Sequence, residues 1–180
     1  MRRGAATAVA VIALGVSGVW AYQRAPSPAA ASAQWREIAW PFPRDGWPVG
    51  RAFRCDGACD GAELYVRAKR GFCNCDRGVA DDDEVDRVAD LDLISPRFAA
   101  VAAGEEVRLG ELRGRVRRYD LDIPDGARHG AIGVAVSRRC DLFVAAVQGR
   151  AEASAMQRAA LAFLETKEMK TWVTAALDGR

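Results

Sequence analysis

Two nearly continuous apolar runs, GAIGVAVS at 130–137 and LFVAAVQG at 142–149, flank the turn Arg138-Arg139-Cys140-Asp141. A connection this short closes an antiparallel hairpin. Strands that lack apolar–polar alternation are covered on both faces, so this pair predicts the centre of a sheet with a layer on either side. Upstream, RGRVRRYDLDI at 113–123 runs into the turn residues Pro124, Asp125 and Gly126 and predicts a further strand. Residues 62–70 (AELYVRAKR) set Leu64, Val66 and Ala68 against Tyr65, Arg67 and Lys69, the pattern of a half-buried strand. In DDDEVDRVADLDLI at 81–94, Asp81 and Asp82 are candidate N-caps, and Val85, Val88, Ala89 and Leu91 fall on one helical face. The acids at the start of that segment suit the helix dipole. Pro96 reads as the opening of a second helix through Ala103.

Residues 151–177 are helical by pattern. Leu161, Leu164, Met169, Trp172, Val173, Ala176 and Leu177 make a buried stripe, and Thr166 as an N-cap implies a break near Glu165. Sequential hairpins followed by helices define an α+β class: an antiparallel sheet of hairpins packed by terminal helices, forming a single domain behind an N-terminal membrane segment.

That membrane segment is residues 4–22 (GAATAVAVIALGVSGVWAY), uncharged and preceded by Arg2 and Arg3. As a helix it would reach about 28 Å, close to the hydrocarbon thickness of a bilayer. The paired arginines should stay on the cytoplasmic side. Residues 1–22 are thus a signal anchor or a signal peptide. Trp20 and Tyr22 suit the interface and favour an uncleaved anchor, whereas Val19-Trp20-Ala21 and Ala31-Ser32-Ala33 are possible cleavage sites. No cysteine ends the apolar run, which disfavours a lipoprotein. Residues 23–33 (QRAPSPAAASA) are a Pro/Ala/Ser linker, and residues 34–180 form the exported domain. The expected location is the bacterial inner membrane with the C-terminal domain in the periplasm, or the periplasm itself if the signal is cleaved. Arg2, Arg3 and Arg24 precede residue 34 and every acid lies at Glu37 or later. Of the 26 basic and 24 acidic residues, the domain therefore keeps 23 and 24, a net charge of −1. A near-neutral domain gives no reason to expect nucleic acid as a partner.

The cysteines are the most distinctive local feature. Cys55, Cys59, Cys73 and Cys75 cluster, and Cys140 stands apart in the hairpin turn. In an oxidising compartment they read first as two disulfides, with three pairings open; a nested arrangement, Cys55–Cys75 and Cys59–Cys73, would close the ends of strand 62–70. Zinc is a second reading, against which neither pair has the two-residue spacing of a zinc knuckle. A redox dithiol at Cys73 and Cys75 is a third, although no thioredoxin-like βαβ pattern surrounds it. Cys140 makes the count odd: it is free, or it displaces a cluster cysteine.

Catalytic inventory is thin. His129 is the only histidine, in a Gly-rich loop, and Ser95, Ser137 and Ser154 are the domain serines, none in G-x-S-x-G. The acidic run at 81–92 lacks the glycine of a calcium loop, and no phosphate-binding glycine motif occurs. These observations predict no catalytic residues, no metal site and no cofactor. Arg113, Arg115 and Arg117 alternate and share one strand face. That stripe is either a solvated face balanced by neighbours or an anion-facing ribbon for lipid headgroups or an acidic partner. Trp35, Trp40, Phe42 and Trp47, interleaved with Pro41, Pro43 and Pro48, form an irregular lead-in whose aromatics cover the core edge. The sharper alternative is a surface that contacts peptide or membrane interface.

At WPFPRDGWPVGRAFRC and YVRAKRGFCNCDRGVADDDEVDRVADLDLI the chain resembles a family of uncharacterised bacterial exported or membrane-anchored proteins. The Gly-Phe-Cys-Asn-Cys run and the acidic helix after it carry the resemblance, which spans Trp40 to the C-terminus. It implies export and transfers no activity to any residue. The late hairpin followed by a Trp-containing final helix is also loosely similar to PsbP-like sandwiches, a topological likeness that leaves function open.

These features together imply an inner-membrane-tethered or periplasmic domain. Its expected role is non-enzymatic binding of an envelope protein or lipid; the alternative is a thiol-redox protein using Cys73 and Cys75. A reporter fused after Arg180 should be active in the periplasm and silent in the cytoplasm. Ala10→Arg with Leu14→Arg places two charges in the apolar centre at roughly 2.5–3.5 kcal/mol each, and should retain the protein inside. Unchanged export of that variant would refute the signal assignment.

Overall fold

The structure, a computed structural model, describes residues 34–57, 59–72, 75–123 and 128–179. The N-terminal segment, the linker, the turn at 124–126 and Cys73 lie outside the described residues. Among the described residues no helix is long and apolar enough to cross a membrane.

Among the described residues, eight antiparallel strands form one sheet: β1 (Gln34–Ile38), β2 (Arg51–Asp56), β3 (Glu63–Lys69), β4 (Phe98–Ala100), β5 (Glu105–Leu109), β6 (Leu112–Asp122), β7 (Arg128–Arg138) and β8 (Asp141–Gly149). Their order is β1-β2-β3-β8-β7-β6-β4, with β5 also paired to β6. The predicted hairpin is β7–β8, and it does occupy the middle. Phe143, Ala145 and Val147 point to a first face and Leu142, Val144 and Ala146 to a second, all of them buried. The α+β class of an antiparallel sheet packed by helices is therefore correct.

The first face is covered by α3 (Ala153–Leu164) and α4 (Lys167–Asp178). Met156, Ala160 and Leu164, then Met169, Val173 and Leu177, recur every fourth residue and bury against Leu64, Val66, Ile132 and Phe143. The break falls where Thr166 predicts it, since its side chain accepts from the Met169 N–H and Glu165 caps α3. Arg51 ties three elements on this side: it donates to Glu37 of β1 at 2.8 and 2.6 Å and to Glu168 of α4 at 3.3 Å.

The second face lies under the segment 39–50, α1 (Asp82–Val88) and α2 (Leu91–Ile94). Asp81 caps α1 by accepting from the Glu84 N–H, and Val85, Val88, Ala89 and Leu91 are buried as the helical face requires. The helix does not run on to residue 94. Asp90 takes a left-handed conformation (φ 61°) and separates α1 from α2. The aromatic lead-in covers the core edge: Phe42 and Trp40 pack edge-on against Tyr65 at 4.7 and 6.2 Å, and Trp47 packs on Phe72 at 5.1 Å. Trp40 also lies over Gly50, where any Cβ would collide with its ring.

Three expectations need correction. First, β3 is buried on both faces instead of half-buried, with Arg67 and Lys69 inside, because carboxylates from the covering layer neutralise them. Second, the stretch after Pro96 is strand β4, not helix. The buried Ser95 hydroxyl donates to the Asp122 carbonyl at 2.7 Å and sets the register Phe98↔Leu121, so the open edge of β6 captures the chain. Third, of the open disulfide pairings the nested one does not form. The bonds are Cys55–Cys59 and Cys75–Cys140, with Cα separations of 5.8 and 4.3 Å. Cys140 displaces a cluster cysteine because the β7–β8 turn stands beside the segment leaving β3, where Gly71 N–H donates to Asp141 at 2.9 Å.

The two bonds differ in reach, with sequence separations of 4 and 65. In the chain-entropy description this corresponds to about 2 and about 4 kcal/mol. Cys75→Ser with Cys140→Ser should therefore lower the urea midpoint more than Cys55→Ala with Cys59→Ala. Equal losses, or a wild-type midpoint indifferent to reductant, would contradict these pairings.

Candidate functional site

The β3 side chains that face the second layer are Glu63, Tyr65, Arg67 and Lys69, a polar row on an interior strand. Arg67 is gripped from two directions. It donates to Asp90 through Nε at 2.7 Å and Nη2 at 2.9 Å, and to Asp45 through Nη1 at 2.9 Å. Lys69 Nζ donates to the Val88 carbonyl at 2.9 Å and to Asp90 at 2.5 Å, and sits 5.3 Å from the Phe72 ring centroid. Burial opposes the charge on Arg67, but its hydrogen bonds to Asp90 and Asp45 outweigh this and hold its pKa above the usual value. The bond from Arg67 in turn pulls the Asp45 carboxyl down. Beside them Tyr65 donates to Glu63 and accepts from Gln148, and burial together with Glu63 pushes the Tyr65 hydroxyl up. Every polar atom named here has a partner, so the row is a closed structural network.

A second network joins α1 to β6. Arg115 donates to Asp82 at 2.7 Å and to the Gly104 carbonyl at 2.8 Å. Arg117 donates to both Asp86 oxygens at 2.9 and 2.8 Å, and Tyr119 donates to Asp86 at 2.6 Å. The Gly104 N–H, followed by Arg115, lowers the Asp82 pKa. Burial, then Asp86, raises that of Tyr119. The stripe Arg113, Arg115 and Arg117 thus lies on one face as its alternation requires, and α1 supplies carboxylates to two of its members.

Arg113 belongs to a different environment. A cleft of about 460 Å³ is lined by Arg77, Arg108, Arg113, Arg115, Glu106 and Ser137. Arg108 and Arg113 are directly opposed in the β5–β6 register, and Arg113 is opposed in turn to Ser137 of β7. Like charges in direct cross-strand pairing destabilise a sheet. Arg77, Arg108 and Arg113 are exposed and have no ion pair or side-chain hydrogen bond among the described residues. Glu106 lines the cleft without pairing to any of them. One wall is the segment 75–80, held at three places. Cys75 is bonded to Cys140, the Val79 N–H donates to Ser137 Oγ at 3.3 Å, and Gly78 adopts φ +59° where a Cβ would strike that same oxygen. Glycine is needed there for both conformation and space.

The predicted cysteines are thus divided between two places. Cys55 and Cys59 brace the β2–β3 turn, where Cys55 N–H also donates to the Ala62 carbonyl at 2.8 Å. Cys75 and Cys140 brace the wall of the arginine cleft. With these four sulfurs bonded, the four-thiolate zinc arrangement is overturned, and the proposed partner of Cys73 is engaged elsewhere. Among the described residues no group of three or more His, Cys, Asp or Glu could hold a metal ion. Sequence reasoning missed Arg77 and Arg108. The signal was available only for Arg108, whose segment EEVRL lies between Gly104 and Gly110 and precedes the β6 alternation as a hairpin would. No family model matches the chain, and neither does any curated protein.

Removing Asp90 leaves two buried cations short of their shared carboxylate. Asp90→Ala should cost about 3–5 kcal/mol, the range for breaking a buried ion pair from one side. Lys69→Met keeps the stem volume and leaves Arg67 with both carboxylates, so it should cost much less. Urea unfolding of the two variants checks the order, and a smaller loss for Asp90→Ala would refute the shared-carboxylate account.

Proposed function

We propose that this disulfide-bonded α+β domain is an inner-membrane-tethered or periplasmic binding module that holds an acidic component of the envelope, and that it performs no chemistry of its own. The observation that carries the reading is a contrast in how the domain treats its arginines. Arg51, Arg54, Arg67, Arg87, Arg115, Arg117 and Arg138 each meet a carboxylate within hydrogen-bonding distance. Arg44, Arg70, Arg77, Arg108 and Arg113 do not among the described residues, and three of these, Arg77, Arg108 and Arg113, converge on one cleft. In a domain of net charge −1, surplus positive charge gathered in a concave site gives a local field that favours an anionic partner. The membrane segment at 4–22 would hold that site close to the bilayer and its acidic headgroups. The disulfide beside the cleft suits an oxidising compartment.

A photocrosslinking residue at position 106, in the full-length chain in its native membranes, should trap an acidic protein or an anionic lipid. The same residue at position 158, on α3 across the sheet, should not. Arg108→Gln with Arg113→Gln should abolish the adduct without lowering thermal stability. Recovery of the chain only in the cytosolic fraction, or an adduct indifferent to these arginines, would overturn the reading.

A further inference from the structure

We infer that the arginine cleft is a binding site for a phosphate-type dianion, the charged group of a phosphomonoester. This rests on the cleft being the binding surface, as proposed above, and goes on to name the chemistry it selects. Three features of the site point to phosphate over carboxylate. The first is the number and direction of donors. Arg77 approaches from the wall, while Arg108 and Arg113 rise side by side from the sheet floor. A single guanidinium fork already satisfies both oxygens of a carboxylate, whereas several forks from different directions match a group with three outward oxygens and two charges. The second is the cross-strand pair itself. Two opposed arginines repel in the empty site, and a dianion placed between them converts that repulsion into two attractions, where a monoanion offsets only one. The third is the neutral end of the floor. Ser137 brings a hydroxyl opposite Arg113, able to donate to an oxyanion while still accepting from Val79.

The remaining charges around the cleft keep the site selective. Arg115 is turned to Asp82 and the Gly104 carbonyl, so it adds field without competing for the ligand. Glu106, opposite Arg115 in the register, stands at the edge of the floor and disfavours an extended polyanion running across it. The site is therefore suited to a compact terminal group. The Cys75–Cys140 bond and the close approach of Gly78 to Ser137 fix the backbone on either side of Arg77, which reduces the ordering cost of that wall on binding.

The test uses the full-length chain in detergent at constant ionic strength. Inorganic phosphate should raise the melting temperature saturably, with glutamate and chloride giving no comparable shift. Arg108→Gln with Arg113→Gln should weaken phosphate binding at least tenfold, and Arg77→Gln several-fold, while the melting temperature of the unliganded double variant is raised by loss of the Arg108–Arg113 repulsion. Two sources of the group are separated by vesicles. Flotation with phosphatidic acid vesicles, but not with phosphatidylglycerol vesicles, reversed by free phosphate, would identify a lipid phosphomonoester. Phosphate binding without vesicle flotation would identify a soluble phosphate compound. Either result supports the inference. A phosphate response that survives in the double variant overturns it, as does the absence of any saturable response. If an acidic protein crosslinks at position 106 while phosphate fails to bind, the phosphate assignment falls and the binding-module reading stands. If neither occurs, both fall and the arginines are charges that protect the β5 edge from strand pairing.

Discussion

Asp90 sits at the junction of α1 and α2 with its backbone in the left-handed region, and its carboxylate lies over β3. It accepts from Arg67 and Lys69 together, while the Val88 carbonyl just before it takes the third contact. Two cations on β3 can be buried only because this junction delivers a charge to them. The placement of α1 depends on it, since the Asp82 and Asp86 contacts to β6 follow from where α1 is set down. The aromatic lead-in is tied to the same point through Asp45, which shares Arg67. A buried ionic cluster of this kind adds little net stability compared with apolar packing. Its contribution is to fix one arrangement of the second layer, because displacement of that layer would strand charge in the core.

The two faces of the sheet are therefore held by different physics. Under α3 and α4 the contacts are apolar and repeat every fourth residue, and the aromatic stack of Trp35 on Phe163 closes the edge. Under α1, α2 and the segment 39–50 the contacts mix small side chains with directional ion pairs. Gly133 admits Ala89 and Tyr119 at about the limit of contact, which brings α1 close to β7. Directional contacts at this second layer also decide which arginines remain available. Those reached by α1 carboxylates are neutralised, and those beyond its N-terminal end, Arg108 and Arg113, are left facing the cleft.

Much of the candidate site was readable as residue types and little of it as a site. The alternation of Arg113, Arg115 and Arg117 correctly places them on one face, because strand periodicity is a local property. That α1 would answer Arg115 and Arg117 but leave Arg113 could not be read, since it depends on the height at which the helix crosses β6. Arg108 enters only through the β5–β6 register, and Arg77 only through a disulfide to a turn far along the chain. The cysteine cluster misled for the same reason. Proximity in sequence favoured pairs among Cys55, Cys59, Cys73 and Cys75, whereas the sheet order places β3 beside β8 and brings Cys140 to Cys75.

The sequence by itself determined the features that short-range chemistry controls. These are the β7–β8 hairpin and its central position, strands β3 and β6, the Asp81 cap and apolar face of α1, and the two terminal helices divided at Thr166. It left β1, β2, β4 and β5 unrecognised, because their residues have no strong strand pattern of their own and become strands by pairing with a neighbour already formed. The tertiary structure alone decided the disulfide partners, the burial of Arg67 and Lys69, and the gathering of three arginines at one cleft. Each of these depends on strand order and register, which join residues distant in the chain, and no local periodicity encodes which distant neighbour a side chain will meet.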